Sequence, residues 1–227
     1  MEQHLIEEGM PEAEVKRLCD VHVAVFKEAL EAQEIPEAPP GHPVHTFMLE
    51  NRAAEKIMER IEDIIGPKGR ALGDQDLKGK REELAGLLED LSRIHLHYLR
   101  KENQLFPLLE AHDISGPSQV MWAIHDDIRA LMKKAQEHLS ANQVRESVSQ
   151  LNEAVSAIRE MIYKEQNILY PMSLEVLSEQ EWGKVREGEE EIGYAWVQPA
   201  SEPGRDQDPP ARRGKAALGL EIGIHLS

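Results

Sequence analysis

The sequence contains a single cysteine, Cys19, among 227 residues, and no apolar run of the roughly 18 residues that a membrane-spanning helix needs. One cysteine cannot form an internal disulfide, which is typical of a reducing compartment. Basic side chains are also in deficit, because 26 Lys and Arg face 42 Asp and Glu, for a net charge of −16 at pH 7. Phosphate binding needs clustered cations, so this balance argues against a nucleic-acid partner. The first residues lack the basic and apolar regions of a signal peptide. We therefore expect a cytoplasmic protein that binds neither membrane nor nucleic acid.

Histidine, in contrast, is abundant, with ten residues, as many as Phe, Tyr and Trp together. Apolar residues recur at helical spacing and no segment alternates with a period of two, so the sequence predicts an all-α protein. Four long helices are predicted, over residues 43–65, 76–111, 118–140 and 142–171. Short connections between them are typical of an up-down four-helix bundle. The predicted organisation is a helical N-terminal segment (1–35), the bundle (40–175), a short C-terminal helix with its extension (176–198) and a disordered tail (199–227).

Polar residues interrupt the apolar stripes of three of these helices. The stripe of the fourth helix is apolar except for Glu165, the second passes through His95 and Glu102, and the third passes through His125. An unpaired buried carboxylate is costly, and carboxylates and imidazoles that converge inside a bundle are how di-iron and di-manganese sites are built. The alternative is that these residues bond to one another and to Arg or Lys side chains.

Other histidines are weaker candidates. His42 and His45 flank the start of the first bundle helix, where a histidine either caps the helix, faces solvent or reaches a metal from the end of the bundle. His97 lies opposite the apolar stripe of an ideal helix, which predicts surface exposure or a contact with the N-terminal segment. Cys19 and His22 form a possible soft ligand pair, although a small buried cysteine is the simpler interpretation.

Four motifs carry a family resemblance. They are GHPVH at 41–45, HYLRKENQLFP at 97–107, HDD at 125–127 and KEQNILYP at 164–171. This set resembles the hemerythrin-like HHE cation-binding family over about residues 40–175, which implies a hemerythrin-like bundle. Residues 5–10 and 17–22 resemble the end of an uncharacterised helical domain that precedes HHE bundles in a bacterial and archaeal subgroup. Some of those proteins carry a PAS sensor domain after the bundle. We expect a truncated N-terminal domain here and no PAS domain.

The second bundle helix departs from the family's di-iron pattern, which places His-x-x-x-Glu shortly before Leu-Phe-Pro. Alignment on Leu-Phe-Pro makes His97 the family histidine and puts Lys101 in the place of the glutamate. Alignment on the apolar stripe makes Glu102 the glutamate and puts Tyr98 in the place of the histidine. The periodicity favours Glu102 as the ligand, and so does ligand chemistry, because a protonated lysine cannot ligate a metal. An irregularity in the helix could still place His97 in the core.

The fourth helix departs as well, since Met161 stands where the family has its histidine. About four or five good ligands remain, so the resemblance implies a mononuclear or altered di-iron site. The candidate metal ligands are His42, His45, His95, His97, Glu102, His125 and Glu165. Oxygen and nitrogen donors of this kind suit iron, with Mn or Zn as alternatives.

Three functional hypotheses follow from the resemblance and the polar core. The first is a non-haem metal-binding protein that senses or buffers iron, oxygen (O2) or nitric oxide (NO). The second is a helical interaction or signalling module with a degenerate metal site, whose polar residues form a hydrogen-bonded network. The third is an enzyme with peroxide or nitric oxide chemistry at iron, and the sequence offers no nucleophile–base pair or phosphate loop for other enzyme classes. The metal ion is the one predicted partner besides a diatomic gas.

Overall fold

The structure is a computed structural model that describes residues 38–66, 77 and 79–199. The predictions for the N-terminal segment, for Cys19 and His22, and for the tail beyond residue 199 fall outside these residues. All regular secondary structure in the described part is helical, which confirms the all-α prediction.

The described elements follow the four predicted bundle helices and the predicted short C-terminal helix. In chain order they are α1 (Pro43–Ile65), α2 (Arg81–Ser92), α3 (Ile94–Arg100), π1 (Lys101–Leu105), α4 (Phe106–Ala111), α5 (Gly116–Ser140), α6 (Val144–Lys164), π2 (Glu165–Leu169), α7 (Tyr170–Val176) and α8 (Glu179–Ile192). The predicted second helix is thus a run from α2 to α4, and the fourth is a run from α6 to α7. Each run contains a short π-helix.

Helix packing follows the apolar stripes. The helix α5 packs along α6, and α1 packs along α2. The predicted stripes of α1, α5 and α6 are buried, as their spacing of three and four residues requires. The core therefore runs between four helices, and a polar residue on any of these stripes is withdrawn from water.

Local signals in the sequence set the ends of α1 and α8. Pro43 occupies the first turn of α1, where its missing N–H costs nothing, and Gly66 ends the helix with φ 74°. Ser178 begins α8 through a capping box, in which its hydroxyl accepts from the N–H of Glu181 and the Glu181 carboxylate accepts from the N–H of Ser178.

The helix α8 and the residues after it close one side of the bundle. Trp182 and Val185 are buried from α8, and the Trp182 ring lies 4.6 Å from the His42 ring between centroids. Residues 193–199 continue from α8 without regular structure, and Ala195 among them is fully buried. Across residues 38–66 and 79–199, no helix has the length and apolar character to cross a membrane.

Candidate cation site

Two π-helices shape the polar core. The N–H of Phe106 bonds to the carbonyl of Lys101, and the N–H of Tyr170 bonds to the carbonyl of Glu165, so each turn holds one residue more than an α-helix. A proline follows the end of each π-helix by two residues. Proline lacks an N–H and crowds the carbonyl four residues earlier, and a wider turn accommodates it. The site side chains Lys101 and Glu165 begin these two turns.

The carboxylate of Glu165 is the centre of a buried network. Its Oε2 accepts hydrogen bonds from Asn51 Nδ2 at 2.8 Å, the Tyr170 hydroxyl at 2.9 Å and His97 Nε2 at 3.2 Å. Its Oε1 accepts from the Lys101 ammonium. Burial by itself raises the pKa of Glu165, but the positive charges and hydrogen bonds of Lys101 and His97 leave that pKa well below its ordinary value. Glu165 is an ionised carboxylate in the core.

The ammonium of Lys101 lies between a carboxylate and an imidazole. Besides Glu165, its Nζ donates to His125 Nε2 at 3.0 Å, and it lies 4.6 Å from the centroid of the Tyr98 ring. The side chain has no exposed surface. Burial lowers the pKa of Lys101, and the surrounding carboxylates act in the opposite direction. Lys101 therefore supplies the positive charge at the point where the second, third and fourth bundle helices meet.

His125 is held as a neutral imidazole. Because Lys101 donates to its Nε2, the ring carries its hydrogen on Nδ1, which donates to Glu102 Oε1 at 2.7 Å. Burial and the charge of Lys101 lower the pKa of His125 well below its ordinary value. The ring is stacked between Tyr98, at 3.9 Å between centroids, and Phe106, at 6.0 Å.

Arg129 separates this network from solvent. Its Nη2 lies 2.8 Å from both carboxylate oxygens of Glu102, and its Nη1 donates to Asp126 at 2.7 Å. The Glu102 side chain is 3% exposed and that of Arg129 is 29% exposed. Glu102 is therefore neutralised from outside by Arg129 and, among the described residues, is joined to the site by the hydrogen bond from His125.

A second buried carboxylate, Glu50, lies on α1. Its Oε2 accepts from His97 Nδ1 at 2.8 Å and from Arg100, and its Oε1 accepts from the backbone N–H of Ala195 at 2.7 Å. Arg100 also donates to Glu189 of α8 at 3.0 Å. Burial by itself raises the pKa of Glu50, but the His97 hydrogen bond and the charges of His97 and Arg100 leave that pKa below its ordinary value.

The imidazole of His97 joins the two carboxylates. One ring nitrogen faces Glu50 and the other faces Glu165, and both oxygens accept, so both nitrogens are satisfied when both carry hydrogen. The ring packs edge-on against Phe47 at 5.2 Å between centroids. His97 is therefore a fixed bridge between the two buried carboxylates.

The structure exchanges the predicted positions of two histidines. The apolar stripe predicted His95 in the core and His97 on the surface, and both predictions are wrong: His97 is 1% exposed, whereas His95 is exposed and bonds a backbone carbonyl three residues earlier. The turn at Arg93 and the π-helix that begins at Lys101 interrupt the phase of an ideal helix. The alignment on Leu-Phe-Pro therefore identifies the pair that reaches Glu165, His97 and Lys101.

His42 and His45 lie apart from this pair. His42 caps α1, with its Nδ1 accepting from the N–H of Val44 at 3.1 Å, and burial lowers its pKa. His45 lies in the first turn of α1, and its Nδ1 is buried without a hydrogen-bond partner in the described part of the chain. No hydrogen bond among the described residues joins either histidine to Glu165, and their role as metal ligands stays a prediction. The other predicted residues, Glu102 and His125, are in the network.

Sequence reasoning missed several members of the network. They are Glu50, Asn51, Arg100, Arg129, Tyr170 and Glu189. One signal was present, because Asn51 is a polar residue on the apolar stripe of α1, by the same criterion that singled out Glu165. Tyr170 follows a π-helix and Glu189 lies on α8. Glu50, Arg100 and Arg129 lie beside the apolar stripes of their helices, so the periodicity does not indicate them.

Two buried tyrosines form a matched pair for testing the network. Tyr170→Phe is expected to lower the free energy of unfolding by about 1.5–3 kcal/mol, because a buried carboxylate loses a donor. Tyr98→Phe is the control, since the Tyr98 hydroxyl is buried with no partner among the described residues, and its removal is expected to be neutral or stabilising. Urea unfolding of both variants measures the difference. Equal losses in the two variants would contradict the assigned role of Tyr170.

A metal ion in this core requires donors that Lys101 already engages. Glu165 Oε1 and His125 Nε2 both face the ammonium, and a metal cation beside it would be repelled. The fourth helix adds Met161, a soft thioether, in place of a histidine. Within the described ranges, no group of three or more His, Cys, Asp or Glu side chains is placed to hold a metal ion. The residues as arranged fit a lysine cation and do not fit a metal centre.

Comparison with known proteins adds two family matches. A family of unknown function, DUF438, matches residues 1–32, and the hemerythrin HHE cation-binding domain matches residues 42–173. No curated protein matches the chain. Both matches confirm the resemblances drawn from the sequence, and a cation-binding domain supports a metal ion as ligand of the family without specifying the element. The second match spans the four bundle helices and more than half of the 227 residues, so the chain belongs to the hemerythrin HHE cation-binding family.

Proposed function

We propose that this protein is a hemerythrin-like helical module for interaction or signalling, in which the Lys101 ammonium is the resident cation of the family's site. One observation carries this proposal. The Nζ of Lys101 donates both to Glu165 and to His125, a carboxylate and an imidazole of the kind that a metal would require. A cation supplied by the chain itself holds the site together without a bound ligand.

Charge balance explains why the bundle needs a cation at this point. A buried carboxylate without a partner is very costly, and Glu165 is 1% exposed. Lys101 supplies both a charge and directed N–H donors. Because the lysine is covalently attached, its local concentration does not depend on metal supply. A metal ion has to displace this ammonium, which lowers its apparent affinity.

A second candidate function is the sensing or buffering of iron, oxygen or nitric oxide by a bound metal. Family membership favours it. So does the convergence of His97, His125 and Glu165, since His97 and Lys101 both bond to Glu165 and Lys101 bonds to His125. In this candidate Lys101 leaves the core, and iron, or Mn or Zn, takes its place in a mononuclear or altered di-iron site.

Metal analysis of three proteins separates the two candidates. Wild type, Lys101→Glu and Lys133→Glu are produced with iron, manganese and zinc supplied, and metal per chain is measured by mass spectrometry. Lys101→Glu restores the His-x-x-x-Glu spacing on the second helix, so we expect it to gain bound metal and a metal-dependent rise in Tm. Lys133→Glu makes the same charge change at a side chain that is 78% exposed, and we expect it to match wild type, with substoichiometric metal.

The opposite result is one metal ion per wild-type chain that is lost in Glu165→Gln. It would overturn the proposal and support the second candidate. Visible absorption of that metal-loaded protein with and without oxygen or nitric oxide would then distinguish a gas sensor from a metal buffer. A spectral response to either gas indicates sensing.

A further inference from the structure

The residues that follow α8 form a strap across the bundle, defined here as residues 193–199. The backbone N–H of Ala195 donates to Glu50 Oε1 at 2.7 Å, and the indole Nε1 of Trp196 donates to the carbonyl of Asp90 at 3.0 Å. The Tyr194 ring lies under the guanidinium of Arg100 at 4.6 Å. One strap backbone group is thus bonded directly to a buried carboxylate of the core.

A continuous series of hydrogen bonds joins this strap to the cation site. Lys101 bonds Glu165 Oε1, and His97 Nε2 lies 3.2 Å from the other oxygen of the same carboxylate. His97 Nδ1 bonds Glu50 Oε2 at 2.8 Å, and the other oxygen of Glu50 accepts from Ala195. The four side chains in this series are each at most 1% exposed. Each carboxylate therefore accepts a hydrogen bond on one oxygen from the side of the cation site and on the other oxygen from the side of the strap.

We propose that the strap is a latch whose docking depends on the cation held at Glu165, transmitted through His97 and Glu50. This inference rests on the proposed function, in which Lys101 is that cation. When the Lys101 side chain moves away from Glu165 or is replaced by a neutral one, the Glu165 carboxylate draws the shared imidazole of His97 towards itself. Glu50 then loses one of its fixed donors and turns away from the Ala195 N–H. Undocking of the strap uncovers the Glu50 and Arg100 side of the bundle.

Two side chains of the network, each shared between two carboxylates, connect the strap to the cation site. His97 is shared between two carboxylates, so a stronger bond on one side weakens the other. Arg100 is shared between Glu50 and Glu189, so the strap and α8 respond to the same guanidinium. Coupling between separate sites requires an element with two arrangements that both sites bias. In the latch, these are the arrangements in which His97 favours Glu165 or Glu50.

Hydrogen exchange of the Ala195 amide tests the coupling in the full chain. Lys101→Gln removes the charge and keeps an N–H donor, and Leu151→Ala is the control, because Leu151 is a fully buried residue of α6 outside the network. Each variant is measured at the urea concentration that brings it to the same global stability. We then expect about 10-fold faster exchange of the Ala195 amide in Lys101→Gln than in the control, towards the lower end of the range for coupled sites. In a background carrying Trp196→Ala, where the strap is already loosened, the same change is expected to add little.

Equal exchange in Lys101→Gln and Leu151→Ala overturns the latch. Should Lys101→Gln fail to fold, Tyr170→Phe removes a different donor of Glu165 and is compared with the same control, with about 5-fold faster exchange expected, the lower limit of that range. The latch and the proposed function fail separately. Stoichiometric metal in wild type contradicts the proposed function, in which Lys101 is the cation. An exchange rate of the Ala195 amide that stays the same when a donor of Glu165 is removed contradicts the latch alone.

Discussion

Lys101→Met is expected to lower the free energy of unfolding by about 3–5 kcal/mol, the cost of breaking a buried ion pair by removing one partner. The change keeps an unbranched, largely apolar side chain and removes the ammonium. Glu165 then stays in the core with neutral donors from Asn51 and Tyr170 and with the shared imidazole of His97. Lys101 and Glu165 are at most 1% exposed, so solvent does not screen the loss.

A double-mutant cycle isolates the pair. Lys101→Met combined with Glu165→Gln removes both charges, and we expect the double variant to be more stable than Lys101→Met alone, because no uncompensated carboxylate remains. Lys133→Met on the surface of α5 is the control and is expected to change stability by less than about 0.5 kcal/mol. Urea unfolding at pH 7 measures five proteins, which are wild type, Lys101→Met, Glu165→Gln, the double variant and Lys133→Met. A loss below about 1 kcal/mol for Lys101→Met would contradict a resident lysine cation.

Glu189→Gln is expected to stabilise the protein at high pH and to leave it unchanged at low pH. Burial raises the pKa of Glu189 to about 7 from an ordinary value of 4.5, and the charge of Arg100 opposes this only in part, since Arg100 also bonds the ionised Glu50. A carboxyl with a raised pKa contributes stability that is complete below about pH 4.5 and is lost as the pH rises through about 7. At 1.36 kcal/mol per pKa unit, the loss is about 3 kcal/mol.

The measurement is the difference in unfolding free energy between Glu189→Gln and wild type from pH 5 to pH 8.5. Other groups titrate in this range, and the subtraction removes those that the variant shares with wild type. We expect the difference to be small at pH 5 and to approach about 3 kcal/mol in favour of the variant at pH 8.5. Glu190→Gln, at an exposed neighbouring position, is the control and is expected to give no slope. A difference that does not change with pH would show that Glu189 is ionised throughout.

Regular periodicity predicted most of the bundle. The stripes of α1, α5 and α6 and the buried positions of His125, Glu102 and Glu165 follow from spacing alone, because a helix that packs on one side must be apolar on that side. His95 and His97 were misplaced for the same reason, since that argument assumes an unbroken α-helix. The Pro in each Leu-Phe-Pro or Leu-Tyr-Pro motif was the available sign of a wider turn.

The sequence by itself determined the helical class, the family and the presence of charged residues in the core, since these depend on local spacing and on short motifs. Only the tertiary structure decided which charges meet. The pairing of Lys101 with Glu165 joins residues 64 positions apart in the chain, and the contact of Glu50 with Ala195 joins residues 145 apart. Such pairs depend on the phase of two π-helices and on the path of the chain after α8, which no local pattern specifies. Lys101 departs from the metal-binding motif of the family, and in the folded chain its ammonium is the cation that contacts Glu165 and His125.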